Sequence, residues 1–306
     1  MDYEEIPPDT PPYARKKIQT AMNYTRNKLK KGKFNMDEFE VVSVEVESDK
    51  IGSEFDNYTI IQLTDIHLGQ WITKEKLMGI VELINKENAD LIVLTGDYVS
   101  YQVDDCLDEL EESLRCLKTK DAILSVLGNH DHWINPVKVK HSLERCNIIN
   151  LENEVFTIYK GDSKLQIAGV DSITYDKDDI SQVIERIDKD SPAIMLAHEP
   201  DFADITSKYD PFILQLSGHS HGGQMNIPKL GTPIRGKNFL KYPSGKYNVN
   251  DMIQYTSRGV GTNGFWLRIN CPPEITKIIL KKVKKYEDIM DYYRCRTPSK
   301  RKHRGT

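Results

Sequence analysis

Gly128-Asn129-His130-Asp131 set an amide oxygen, an imidazole and a carboxylate side by side. They follow an apolar run, Ala122-Ile123-Leu124-Ser125-Val126-Leu127. An amide oxygen ligates a metal without adding charge. An imidazole beside that metal can give a proton or bind a phosphate oxygen, and a neighbouring carboxylate can fix its tautomer. Alone the tetrapeptide says little, because an Asn-His pair after a strand is ordinarily a polar turn. The arrangement recurs, however. Four more short apolar runs end in loops that hold Asp65 and His67, then Asp97, then His198, then His219 and His221. A lone histidine is more often a satisfied surface or core residue than a ligand. Five of the chain's eight histidines in one kind of position are not explained that way.

Spacing adds to the case. Asp65-x-His67 and His219-x-His221 put two side chains on one side of an extended segment. Gly96, Gly128 and Gly218 precede the polar residues and permit tight turns with close backbone approach. Two carboxylates, one amide oxygen and four histidines besides His130 exceed what one four-coordinate metal needs. They suit two ions roughly 3.5–4 Å apart that share a carboxylate. Nitrogen and oxygen donors without sulfur suit manganese, iron or zinc better than a pure magnesium or calcium site.

The elements that must position these loops follow from apolar periodicity. Strands are expected at 40–46, 58–63, 90–94, 122–127, 193–197, 212–216, 253–256 and 275–283, with a hairpin over 155–170. Helices are expected at 74–88, 104–117 and 180–187. Asn135-Pro136 reads as a cap and first-turn proline opening another helix. Each polar loop then lies at the carboxyl end of a strand, where open α/β sheets form sites.

Composition sets the outer limits. A chain of 306 residues with 39% hydrophobic content can bury a real core, and a net charge of -4 argues against a polycation built for nucleic acid. No apolar run reaches the roughly 20 residues that cross a bilayer, and the amino terminus has no secretory pattern. Cys106, Cys116, Cys146, Cys271 and Cys295 are odd in number and contain no CxxC, which fits a reducing, cytoplasmic compartment. The organisation expected is a flexible arm over 1–40, a catalytic domain over 41–285 and a basic tail over 286–306. The arm carries eight Lys or Arg and no acid between 13 and 33. It is either a solvated, partly helical arm or a peripheral contact with an anionic membrane at its inner face.

The order Asp65-x-His67, Gly96-Asp97, Gly128-Asn129-His130-Asp131, His198, Gly218-His219-x-His221 resembles the calcineurin-like metallophosphoesterases over about residues 55–283. Gly222-Gly223-Gln224, Ser257-Arg258-Gly259-Val260-Gly261 and Pro272-Pro273-Glu274-Ile275 resemble the YkuE/YaeI-like phosphodiesterase branch, which includes enzymes that cleave the pyrophosphate of UDP-diacylglucosamine. The resemblance implies an α/β fold, a two-sheet β-sandwich flanked by helices in four αββα layers. It implies that Asp65, His67 and His221 hold one divalent ion, that Asn129, His198 and His219 hold the other, and that Asp97 bridges them. It implies that a water or hydroxide between the ions attacks phosphorus in line. His130 would then contact a phosphate oxygen or protonate the leaving group, and Asp131 would orient His130. The implied substrate is a phosphorylated small molecule or a lipid-linked one, with a phosphodiester or pyrophosphate bond to cleave.

Several residues stay open. His132 and Trp133 either line the pocket or pack at the surface. Tyr98 reads as core or rim. Arg258 binds phosphate or caps its loop, and Glu199 supports His198 or faces solvent. Lys237, Lys241 and Lys246 read as solvated. Three other functions compete. A phosphomonoesterase would use the same site. An inactive protein-binding scaffold of this fold is disfavoured because His130 and every ligand position are present. A nuclease is disfavoured by the absence of positive balance in the core.

Overall fold

The computed structural model describes residues 12–29, 31–100, 106–228, 232, 236–263 and 267–283. In chain order the helices and strands are α1 (Pro12–Lys28), β1 (Glu40–Ser48), β2 (Thr59–Leu63), α2 (Lys74–Lys86), β3 (Leu91–Thr95), α3 (Leu107–Leu114), β4 (Ala122–Val126), α4 (Asn129–Ile134), α5 (Pro136–Arg145) and β5 (Ile149–Asn150). There follow β6 (Glu154–Lys160), β7 (Ser163–Gly169), α6 (Ile180–Arg186), β8 (Ala193–Leu196), α7 (Ala203–Thr206), β9 (Phe212–Ser217), β10 (Gly245–Val249), β11 (Met252–Thr256) and β12 (Glu274–Lys282).

The strands form two six-stranded mixed sheets, ordered β1-β12-β2-β3-β4-β5 and β10-β11-β9-β8-β7-β6. β2, β3, β4 and β5 run parallel, as do β7, β8, β9 and β11, so their carboxyl ends gather at one edge of each sheet. The alternation of side chains along each strand separates the layers. In β3, Ile92 and Leu94 meet α2, α3 and α5 through Leu77, Ile80, Leu110 and Leu143, whereas Leu91 and Val93 face the second sheet through Ile167, Ile194 and Leu214. The outer face of the second sheet packs Ala168 and Met195 against Val183 of α6 and Ala203 of α7. Three apolar slabs therefore separate four layers, the αββα arrangement that the resemblance implies.

Local sequence explains the ends of these elements. Thr73 caps α2 by accepting from the Lys76 amide, and Asn135 caps α5 by accepting from the Lys138 amide ahead of Pro136. Three expectations differ. The stretch after β4 is a short helix, α4, not a loop. Its Asp131 side chain returns to the Gly128 amide at 2.9 Å, which stabilises a first turn. The third helix is shorter, Leu107–Leu114, and the expected residues 104 and 105 lie outside the described ones. The edge strand β10 has no counterpart in the expectation, because Lys246, Tyr247 and Asn248 show no apolar alternation.

Ahead of β1, Phe34 stacks on Phe39 at 5.8 Å between ring centroids and lies over Gly79 of α2, where a Cβ would meet the Phe34 ring at 2.3 Å. Arg26 of α1 donates to the carbonyls of Gly69 and Gln70. Residues 1–11 of the arm expected over 1–40, and all of the tail expected over 286–306, lie outside the described residues. No helix among the described residues is long and apolar enough to cross a membrane.

Candidate active site

The loops after β2, β3, β4, β8 and β9 converge, and they bring together every candidate ligand named from the sequence. Asp65, His67 and His221 form one close group, and Asp97, His198 and His219 another, with ligand atoms within 4.8 Å of each other in each. His221 Nε2 lies 3.0 Å from His67 Nε2 and 3.3 Å from Asp65 Oδ1. His219 Nδ1 lies 2.9 Å from Asn129 Oδ1. Asp97 Oδ2 lies between the groups, 3.5 Å from His67 Nε2 and 3.3 Å from His198 Nε2. His67, Asp97 and His130 make a third trio that overlaps both.

The backbone holds these side chains in costly conformations. Asp65, His67, Asp97, His219 and His221 all have φ between 48° and 68°, in the left-handed region. Each costs on the order of 1 kcal/mol or more, and such strain persists only where surrounding contacts over-determine it. Those contacts are visible. The Asp65 amide donates to Gly96 O and the His67 amide to Asp97 O, both at 3.0 Å. The His219 amide donates to the Asp65 carboxylate at 3.1 Å and the His130 amide to Asp97 Oδ1 at 2.9 Å. Three glycines make room. A Cβ at Gly96 would meet Gly128 N at 2.6 Å, one at Gly128 would meet Asp97 Oδ1 at 2.2 Å, and one at Gly218 would meet Asp65 Oδ2 at 2.3 Å. The close approach expected at these glycines is what each position requires.

Protonation follows from burial and neighbours. Burial, then His130, lowers His67 to about 3, and burial, then His67, holds His221 well below its ordinary value. Both are therefore neutral imidazoles at pH 7, the state in which a histidine ligates. Burial raises Asp65 to about 7. Burial also pushes Asp97 up, but His198, His130 and His67 prevail and hold it low. His198 is the reverse case: burial lowers it, and Asp97 more than offsets that. His198 Nδ1 donates to Thr95 O at 2.6 Å, which turns Nε2 toward Asp97. These two imidazole nitrogens, 3.0 Å apart, with Asp65 Oδ1 3.3 Å from one and Asp97 Oδ2 3.5 Å from the other, converge as nitrogen and oxygen donors on one point. The donor set therefore fits divalent ions.

A profile of the calcineurin-like phosphoesterases matches residues 58–223, from the start of β2 to the loop holding His219 and His221. The chain belongs to this family. It is 36% identical over 245 residues to the metallophosphoesterase YkuE of Bacillus subtilis, covering 77% of this chain and 83% of that one. It is 27% identical to the phosphodiesterase YaeI of Escherichia coli, covering 73% and 82%. It is also 30% identical to a zebrafish transmembrane protein with a metallophosphoesterase domain, covering 79% of this chain and 57% of that one.

The open residues of this phosphoesterase now have places. The resemblance gives Asp131 to His130, but its two oxygens accept the backbone amides of Asp97 at 2.8 Å, Gly128 at 2.9 Å and Tyr98 at 2.9 Å. What Asp131 orients is the backbone of the Asp97 and Asn129 loops. His130 is buried, edge-on to both His67 and Trp133. His132 pairs with Asp171 at 2.6 Å and stacks on Tyr175. Glu199 is buried and accepts from Ser172 Oγ at 2.7 Å, so it does not face solvent. Arg258 is tied to Glu274 at 2.6 Å and to Glu40 at 2.8 Å, which joins β12 to β1. Tyr98 is core, at 1% exposure. Lys237 is exposed, Lys241 pairs with Asp204, and Lys246 donates to Glu45 O.

Two supporting residues escaped the sequence reading. Ser100 Oγ lies 2.6 Å from His67 Nδ1, and its position three residues past Asp97 was the available signal. Arg268 grips the loops behind Asp65, and a lone cation between Leu267 and Ile269 was the signal there.

Proposed function

We propose that this phosphoesterase hydrolyses a phosphodiester or pyrophosphate bond with two divalent ions, manganese, iron or zinc. The observation that carries the reading is the pair of ligand groups flanking one buried carboxylate. Asp65, His67 and His221 would hold one ion, Asn129, His198 and His219 the other, and Asp97 would serve both. When bound, such ions supply Lewis acidity and activation of water near neutral pH. The remaining work belongs to the chain. Thr64, at 2.8 Å from Asp65, and Ser100, beside His67, fix the orientation of two ligands. His130, its amide anchored on Asp97 and its ring wedged between His67 and Trp133, is placed to donate a proton to the departing oxygen or to bind a phosphate oxygen.

A diester or pyrophosphate is preferred to a monoester because YaeI, a relative over most of this chain, is named a phosphodiesterase. Metal-reconstituted protein assayed on bis-p-nitrophenyl phosphate, p-nitrophenyl phosphate and a nucleotide-linked pyrophosphate tests this. Faster turnover of the monoester than of both other substrates makes it a phosphomonoesterase on the same site. No turnover of any of the three returns the inactive scaffold.

The described part of the amino-terminal segment favours work beside an anionic membrane at its cytoplasmic face, on a lipid-linked or soluble phosphorylated substrate. Lys17, Lys28 and Lys33 are exposed there alongside Tyr24 and Leu29. At about 1 kcal/mol per basic residue near the surface, binding fades with salt. Co-sedimentation with anionic but not neutral vesicles, lost on replacing these three lysines by glutamine, is expected. No binding at low salt returns the solvated arm.

A further inference from the structure

Behind the Asp65 loop, the guanidinium of Arg268 faces a ring of backbone carbonyls. Nη2 donates to Arg258 O at 2.7 Å, to Gly259 O at 3.1 Å and to Gly261 O, and Nε also reaches Gly261 O at 3.1 Å. Nη1 reaches Cys271 O at 3.3 Å, His221 O at 3.5 Å and Cys271 Sγ at 3.9 Å. Among the described residues it forms no ion pair with a carboxylate, so its donors serve to join three stretches of chain.

Two of those stretches bear on two ligands of one group, Asp65 and His221. The Gly261 amide donates to Asp65 O at 2.7 Å and the Val260 amide to Thr64 O at 3.2 Å. Gly259, at φ 65°, lies so close that a Cβ there would meet Asp65 Cβ at 2.6 Å. The loop over 259–261 is therefore the floor on which Asp65 rests. His221 is held by its own carbonyl, which accepts from Arg268 and from Cys271 Sγ at 3.3 Å. Of the other ligands, His198 rests on Thr95 O and the Asn129 turn on Asp131, whereas the His219 amide leans on the Asp65 carboxylate at 3.1 Å.

We propose that Arg268 is the positioning residue for Asp65 and His221, in the half of the metal centre that they share with His67, and that Asn129 and His198 of the other half do not depend on it. The proposal rests on the two-ion reading above. Only a planar fork of five donors spans carbonyls on three segments. A lysine ammonium keeps the charge but gathers its three donors on one atom.

Manganese binding to Arg268→Lys, followed by calorimetry and by the spin-resonance signal of free ion, tests it. The wild type takes up two ions. The variant is expected to bind the ion of Asp65, His67 and His221 about 10–100-fold more weakly, the usual cost of removing a group that orients a ligand, and the ion held by Asn129 and His198 with a clearly smaller loss. Two sites of wild-type affinity in the lysine variant overturn the proposal, as does equal weakening of both. A collapse of the metal-free melting temperature in chelator also overturns it, because Arg268 would then support the fold at large. A wild type that binds a single ion fails the two-ion reading itself, before any variant is compared.

Discussion

Gly128→Ala adds one methyl group at the centre of the site. Its backbone, at φ -105° and ψ 176°, is one that alanine adopts freely, so the effect is steric alone. The new Cβ would sit 2.2 Å from Asp97 Oδ1, 2.6 Å from Asp97 N and 2.8 Å from Asp97 Cγ, where real contacts stay beyond 3.0 Å. The worst overlap is thus about 0.8 Å, and because the backbone nitrogen also blocks the way, either Asp97 or the turn after β4 must move by nearly that much. Overpacking costs about 1–3 kcal/mol. Loss of glycine freedom in the unfolded chain returns about 0.4–1 kcal/mol. Net destabilisation of about 1–2 kcal/mol is expected by urea unfolding. Turnover should fall by about 100-fold or more, because a shift of about 1 Å in a positioning group costs that much. The same carboxylate oxygen also anchors the His130 amide at 2.9 Å. Gly79→Ala is the control: it makes a comparable overlap, 2.3 Å to the Phe34 ring, away from the site. It should shift stability and leave turnover alone. Wild-type turnover and metal content in Gly128→Ala would refute the reasoning, and so would equal losses of activity in both variants.

Replacing His130 with alanine should leave both ions bound while turnover drops about 10²–10⁴-fold; loss of an ion, measured by elemental analysis, would make it a ligand. Protein saturated with manganese should approach two ions per chain, and Asp97→Asn should lower that count; a plateau at one ion that the variant leaves unchanged removes the shared carboxylate. Glu111 joins α3 to α5 through Arg145 and through Ser142 at 2.8 Å, and the Arg145 bond holds its carboxyl below the ordinary value. A depressed carboxyl stabilises above its unfolded value of about 4.3 and loses that contribution as pH falls through the folded one. In chelator, Glu111→Gln should therefore unfold more easily at pH 7, with the deficit shrinking below about pH 4; a deficit that does not change with pH would show that the charge is irrelevant.

The sequence alone determined the identity of the candidate ligands and the strands that carry them. Both signals are local. A buried strand announces itself by an apolar run, and Asp-x-His or Gly-Asn-His at its end needs no distant partner to be noticed. The four layers came with the family resemblance, and the structure then divides Ile92 and Leu94 from Leu91 and Val93 between two cores. What the tertiary structure decided was everything that depends on contact across the chain. Asp65 and His221 stand 3.3 Å apart although the strands before them lie in different sheets. Asp131 turned from its neighbour His130 to the backbone, because the amides of Asp97, Tyr98 and Gly128 converge on its two oxygens. Arg258 and Arg268 are near each other in sequence, yet one meets the carboxylates of Glu40 and Glu274 and the other meets a ring of carbonyls. Nothing in their local sequence separates them. A side chain's role is set by which donors and acceptors the fold brings within about 3 Å, and that depends on strand order and loop path.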